Sequence, residues 1–166
     1  MEIQKLSVRY RVRQLAERDA DAVLALYRGN PQYFDAMHDS PTLESARADL
    51  TALPPKKTAE DKFYLGFYEG ETVIAVMDLI LSYPDERTAW IGLFMVSGMR
   101  QGRGIGSRIV KDALSYLKTL GFFAVRLGYV ETNPQSKAFW EKNEFRPTGF
   151  KSQQEKYTIV LMEKEL

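Results

Sequence analysis

Apolar positions along this chain switch between two periods, and the switches mark an alternation of strands and helices. From Val8 to Leu15 apolar and polar residues alternate as in a first strand. Ala20 to Arg28 carries Val23, Leu24, Leu26 and Tyr27 at helical spacing, and Gly29-Asn30-Pro31 ends that helix. Ser40-Pro41, a cap followed by a first-turn proline, predicts a second helix to about Leu53, before Pro54-Pro55. Phe63–Tyr68 and Thr72–Leu81, joined by Glu69-Gly70-Glu71, predict a β-hairpin. Tyr83-Pro84-Asp85-Glu86 turns into a strand at Thr88–Val96, rich in β-branched and aromatic residues. Ile105, Ile109, Val110, Ala113, Leu114, Leu117 and Leu120 then fall three or four apart, one apolar face of a helix that Gly121 ends. Phe122–Val130 predicts another strand, Asn133-Pro134 caps a helix to about Asn143, and Tyr157–Met162 closes the pattern as a strand.

The strand–helix–strand run from Trp90 to Val130 predicts a right-handed parallel crossover, whereas the hairpin implies antiparallel pairs. The expected fold is α+β: a mixed, mostly antiparallel sheet of six to seven strands with about four helices. A length of 166 residues predicts a single domain over residues 1–166. Such a chain buries about 70% of its extended surface on folding.

The segment between the Thr88 strand and the amphipathic helix carries the candidate chemistry. Gln101-Gly102-Arg103-Gly104-Ile105-Gly106 joins them through alternate glycines. Glycines there let backbone N–H groups approach a ligand where a side chain would collide. Those N–H groups lack intrahelical acceptors and sit at the positive end of the helix dipole, so the site favours phosphate. Arg100, Arg103, Arg108, Lys111 and Lys118 face only Asp112 in residues 97–120, a local charge of +4 in a chain whose total is +1. Two glycine-loop types do not fit. A P-loop needs G-x-x-x-x-G-K-[ST], which is absent, and a dinucleotide fingerprint read from Gly102 meets Ser107 at its third glycine. Q/R-x-x-G-x-G/A does fit, with Gln101, Gly104 and Gly106 in its fixed places. A plain tight turn with a solvated arginine face is the bland alternative.

Composition narrows the function classes. Zero cysteines exclude disulfides, thiolate nucleophiles and cysteine metal sites, and the single histidine, His38, excludes a multi-histidine site. His38 lies in the polar stretch Met37-His38-Asp39-Ser40, which reads as a solvated loop. No metal is expected. A net charge of +1 argues against a broad nucleic-acid surface. No apolar run is long enough for a bilayer and no signal peptide is evident, so a cytoplasmic protein without a membrane partner is expected.

The six-residue motif, in its strand–turn–helix setting, resembles the acyl-CoA-binding motif of the GNAT superfamily of N-acetyltransferases. A second stretch, Asn133-Pro134-Gln135-Ser136-Lys137-Ala138-Phe139-Trp140-Glu141-Lys142-Asn143-Glu144-Phe145, is similar to the family's N-x-x-x-x-A-x-x-Y/W-x-K-x-G-F segment. Together they cover roughly the last half of the chain; the first half agrees in element order. The resemblance implies acetyl-CoA as cofactor, held where two parallel strands ending at Val96 and Val130 splay apart. Backbone groups of Phe94 and Val96, flanking Met95, would pair with the pantetheine amides. Backbone N–H groups of Gln101, Gly102, Arg103, Gly104, Ile105 and Gly106, continuing to Ser107, would hold the pyrophosphate. Asn133, Ser136, Phe139 and Trp140 would lie along the pantetheine and its sulfur. Asn133 is also a plain helix cap, and Phe139 and Trp140 also read as core packing.

The implied chemistry is acyl transfer to an amine, by direct attack in a ternary complex because no cysteine offers an acyl-enzyme. A lysine-like ammonium of pKa ~10.4 must give up about 4.6 kcal/mol of proton affinity at pH 7. The family often supplies a glutamate where this chain has Trp90, and a tyrosine where it has Trp140. A substitute base is Asp78, which interrupts the apolar run Val73–Leu81; a carboxylate there needs a task or a partner such as an arginine or a backbone amide. Tyr129 and Glu131 are further candidates. For the acceptor, Tyr33 and Phe34 with Asp35 and Glu44 would form an aromatic and acidic wall, and Trp90 would border it. The acceptor itself stays open among a small amine and a protein lysine or N-terminus, and a homodimer is admitted. Two function classes remain: an N-acetyltransferase, and an acyl-CoA-binding sensor or regulatory module without turnover.

Overall fold

The computed structural model describes residues 1–166. Its twelve regular elements run β1 (Arg11–Gln14), α1 (Ala20–Arg28), α2 (Pro31–Ala36), α3 (Leu43–Thr51), β2 (Lys62–Glu69), β3 (Thr72–Ile80), β4 (Thr88–Val96), α4 (Ile105–Thr119), β5 (Ala124–Val130), α5 (Pro134–Lys142), β6 (Arg146–Gln153) and β7 (Thr158–Glu165). The seven strands form one sheet in the order β1-β2-β3-β4-β5-β7-β6, antiparallel throughout except for β4 beside β5. The expected mixed, mostly antiparallel α+β sheet is what the chain forms, with five α-helices rather than about four.

Each face of the sheet carries its own core. On one side α4 buries Ile105, Ile109, Val110, Ala113, Leu114 and Leu117 against Ile74, Met77, Leu79, Val125 and Leu127. Each such aliphatic side chain contributes roughly 1.5–3 kcal/mol on burial. On the other, Val23, Leu24 and Tyr27 of α1 and Ala46 and Leu50 of α3 pack on Tyr64, Val76 and Met95.

Several boundaries differ from the sequence expectation, each for a local reason. The first strand starts at Arg11, because Asp112 of α4 accepts the Val8 N–H at 2.9 Å and holds residues before it off the sheet, leaving Val8 91% exposed. Asp112, the lone acid of the basic segment, is thus a structural anchor. The helix expected from Ser40-Pro41 starts at Leu43, since Thr42 is the cap: its side chain accepts from Ser45 N–H at 3.0 Å while Ser45 Oγ accepts from Thr42 N–H at 3.0 Å. Between the end signal Gly29-Asn30-Pro31 and Ser40, where the sequence pattern predicts no element, the chain forms α2, with Pro31 in its first turn. Strand β6 had no periodic signal because it is an edge strand, exposed along almost its whole length and bulged between Pro147 and Lys151.

The feature that positions the site is a split between β4 and β5. Their pairing covers only Thr88–Ile91 with Ala124–Leu127. Beyond it β4 stays with β3 as far as Val96, while β5 stays with β7 as far as Val130. A bulge opens the gap: Asp78 pairs with Leu93 and Leu79 with Ile91, so Gly92 is an extra residue in β4 that bends it away.

Candidate functional site

The split encloses a cavity of about 750 Å³ that runs from the glycine loop ahead of α4 to α2 and the β6–β7 turn. Backbone register decides what β4 shows to it. Ser97 donates its N–H to Ile74 C=O at 2.8 Å, so Ala75 and Val96 form a non-hydrogen-bonded pair. The N–H and C=O groups of Val96, and by alternation those of Phe94, therefore turn away from β3 toward the split. Val96 C=O already accepts from Gln101 Nε2 at 3.0 Å and Asn30 Nδ2 at 3.2 Å. Its N–H and the groups of Phe94 are left for a strand-like ligand.

At the loop, Gly102 (φ +73°) and Gly104 (φ +71°) are left-handed, a conformation glycine adopts without steric penalty. The first helical hydrogen bond is Arg108 N–H to Gly104 C=O at 3.1 Å, so the N–H groups of Ile105, Gly106 and Ser107 have no acceptor within α4. A Cβ on Gly106 would stand 3.0 Å from Phe139 and 3.3 Å from Val96, both lining the cavity. Only glycine keeps that cradle open, and the fit to a diphosphate is one of unpaired amides beside an empty Cβ position.

The loop is braced rather than free. Arg108 donates to Arg103 C=O at 3.0 Å, and Arg100 is ion-paired with Glu69. Gln101 ties three segments together: besides Val96 C=O it donates to Asn30 Oδ1 at 2.6 Å and accepts from Gln135 Nε2 at 3.0 Å. Gly98 packs on Gly29 C=O so closely that any side chain there would displace it. Across the cavity, Asn133 caps α5 by accepting Ser136 N–H at 2.9 Å. Phe139 stacks on Phe94 at 5.8 Å and meets Trp140 edge-on at 4.9 Å, and Trp140, 5% exposed, continues to Phe145. All residues expected at the cofactor end line the cavity except Arg103, which is exposed on the turn outside it. Lys111 and Lys118 border a neighbouring depression instead.

The other end of the cavity differs from the expectation. Tyr33 lines it, joined by Met37, Leu93, Tyr129, Tyr157 and Ile159. Phe34 does not: it is buried in the α1–α3 core, 5.2 Å from the Tyr27 ring. Trp90 does not either; its ring meets Tyr83 at 5.7 Å, on the stretch of β4 that is still paired with β5. Asp35 and Glu44 are exposed and contribute no acidic wall, and Glu131 is bonded to Lys151. His38 is exposed, just past α2.

Asp78 has the partner that a buried carboxylate requires. Lys62 Nζ donates to it at 2.7 Å, the two side chains being 4% and 16% exposed respectively. Burial raises the Asp78 carboxyl above the usual range, and the Lys62 bond pulls the other way without cancelling it. Asp78 stands directly behind the cavity wall: a Cβ on Gly92, which lines the cavity, would be 2.6 Å from Asp78 Oδ2. A second buried chain lies alongside. Tyr27 OH contacts Tyr64 OH at 2.6 Å and donates to Asp49 at 2.7 Å, and burial raises the Asp49 carboxyl as well.

Three signals went unused in the sequence. Gly92 and Gly128 sit inside strands and line the cavity, where glycine marks a close approach: Gly92 to Asp78, Gly128 to Ile159. Asn30 and Gln135 carry polar side chains whose partners are distant in the chain, and Tyr157 arrives from the far hairpin.

The sequence matches the acetyltransferase (GNAT) family over residues 12–145. No curated protein sequence matches it. Among solved structures, an acetyltransferase from Thermus thermophilus superposes with a TM-score of 0.77 at 22% identity, covering 95% of this chain and 97% of that one. A PaiA N-acetyltransferase from Thermoplasma acidophilum, in complex with coenzyme A, gives 0.69 at 17% identity, with 95% and 99% covered. A GCN5-related N-acetyltransferase from Kribbella flavida gives 0.66 at 22% identity, with 95% and 98% covered. At these identities the likeness is one of fold.

Proposed function

The chain belongs to the acetyltransferase (GNAT) family, and from that premise we propose that it transfers an acetyl group from acetyl-CoA to an amine by direct attack in a ternary complex. One observation carries the reading: the β4/β5 split opens onto the unpaired N–H groups of α4. Acetyl-CoA brings the acyl group as a thioester, whose thiol pKa near 8.5 makes it a tolerable leaving group. Phe94 and Val96 align the pantetheine through their backbone groups, and the N–H groups of Ile105 to Ser107 receive the diphosphate. Asn133, Ser136 and the Phe139–Trp140 pair form the opposite wall.

Trp140 has no hydroxyl to protonate a departing thiolate, so solvent serves that end of the reaction. Asp78 takes the proton released by the amine through water, across the thin wall at Gly92. In an acyl-enzyme route a cysteine thiolate would first attack the thioester carbonyl and expel the coenzyme A thiolate, and the chain has no cysteine. No helix is long and apolar enough to cross a membrane, and we propose the cytoplasm as the compartment.

Incubating the protein with acetyl-CoA and a mixed amine set, while following free thiol, tests the proposal. Thiol release that depends on an amine supports transfer. Coenzyme A binding without release from any amine contradicts it and favours the regulatory-module reading, to which the tryptophans at positions 90 and 140 lend support.

A further inference from the structure

The acceptor end of the cavity is built without an anion. The only charged residues lining the cavity are Arg100 and Lys142, both cations. Arg100 precedes the glycine loop, and Lys142 also borders the depression beside α4, so both belong with the phosphates. Around the acceptor end stand Tyr33 from α2 and Met37 just past its end, Leu93 from β4, Tyr129 from β5 and Tyr157 and Ile159 from the last hairpin. Every carboxylate on the neighbouring elements is engaged elsewhere or faces solvent. Asp78 is bonded to Lys62 behind Gly92, Asp49 to Tyr27, Glu131 to Lys151, and Asp35 is exposed on the outside of α2. An ammonium entering this space would be desolvated with no counter-charge, and burial of that kind drives an amine toward its neutral form.

We propose that the acceptor is a weakly basic amine carried on an uncharged aromatic or aliphatic body, with the amine on the carbon next to a carbonyl as in an amino-acid amide or a peptide N-terminus. This rests on the transferase reading and names its substrate class. Polyamines and lysine side chains are disfavoured because they arrive as ammonium ions. At pH 7 an α-amine of pKa about 7.8 is neutral some 300-fold more often than a lysine amine of about 10.4. Tyr33, Tyr129 and Tyr157 suit such a body: their hydroxyls have no side-chain hydrogen-bond partner, and their rings offer apolar contact. Asp78 then has only to take the proton shed after attack.

Phenylalanine amide and 2-phenylethylamine form a matched pair, one skeleton with a weakly and a strongly basic amine. With acetyl-CoA and the intact protein, kcat/KM at pH 7 should favour phenylalanine amide, or an amidated tetrapeptide beginning with phenylalanine, by about 100-fold or more. The better of those two identifies a small molecule or a chain N-terminus as the source. The advantage should shrink about twofold from pH 7 to pH 8, where both neutral fractions still rise, and about sixfold more from pH 8 to pH 9. Met37→Glu, which puts a carboxylate on the half-exposed acceptor wall, should raise the 2-phenylethylamine rate about tenfold and leave coenzyme A affinity unchanged. Spermidine or 2-phenylethylamine reacting as fast as phenylalanine amide at pH 7, or a Met37→Glu protein with an unchanged ratio, overturns the acceptor class and leaves transfer standing. Failure of every amine to release thiol, while coenzyme A binds, overturns the transferase reading itself.

Discussion

At one end of the cavity the walls are backbone; at the other they are side chains, and the two ends obey different rules. The proposed cofactor end presents N–H groups of Ile105 to Ser107 and the turned-out amides of Phe94 and Val96, all from one continuous strand–turn–helix. The acceptor end takes Tyr33, Leu93 and Tyr129 from three separate elements and Tyr157 from the turn before β7. Backbone donors bind any diphosphate, so that end is general and its geometry is set by glycines. Side-chain walls select a shape and a charge, so in the proposed reaction the other end would define which amine reacts.

The sharpest way to break this contrast is at Gly106. Gly106→Val fills the space against Phe139 and Val96, and coenzyme A affinity should fall by about 100-fold or more, measured by calorimetry. Overpacking there costs about 1–3 kcal/mol, so the protein should still fold, with a lowered melting midpoint. Asp78→Asn should lower kcat by roughly 10–100-fold while the coenzyme A Kd stays within about twofold. It also strands Lys62, which is buried, so stability should drop by about 3 kcal/mol. Adding Lys62→Met should restore the melting midpoint without restoring kcat, which separates the chemical role from the structural one. Tyr33→Phe removes one uncommitted hydroxyl worth about 1 kcal/mol, raising the acceptor KM about fivefold with the cofactor end untouched.

The smallest effect lies outside both ends. Burial pushes the Asp19 carboxyl up, but its bonds from Arg13 and from the Ala16 N–H outweigh that and hold it below the ordinary value. A depressed carboxyl contributes stability that is fully present above about pH 4 and is lost as pH falls through its lowered pKa. Acid denaturation of Asp19→Asn should therefore be shallower below pH 4 than that of the parent, with coenzyme A affinity at pH 7 identical.

Legibility in the sequence follows the same division. Strands β2 to β5, α1 and α4 are local patterns of period two or 3.6, and each lies within a few residues of where periodicity puts it. The cofactor end was readable because its parts are contiguous: the glycine loop, and the Asn133 cap with its helix. Helix α2 escaped because six residues give too little periodicity, although Asn30-Pro31 was a valid start signal. Strand β6 escaped because an exposed, bulged edge has no apolar alternation. At the acceptor end, Tyr33 and Phe34 are adjacent in sequence and their rings meet edge-on at 5.1 Å, yet only Tyr33 reaches the cavity while Phe34 is buried in the core. Nothing local distinguishes them. Asp78 was visible as an oddity in an apolar strand, but its partner Lys62 lies on β2, reached only through sheet register.

The central claim is that a diphosphate-bearing cofactor docks in the β4/β5 split against the head of α4. Titration calorimetry of the protein with coenzyme A tests it most directly. The account predicts one site per chain with a Kd of about 1–100 μM, a range typical of enzyme substrates, weakened by salt and weakened about 100-fold or more by Gly106→Val. Absence of binding heat at millimolar coenzyme A, or equal affinity in the Gly106→Val protein, would contradict it.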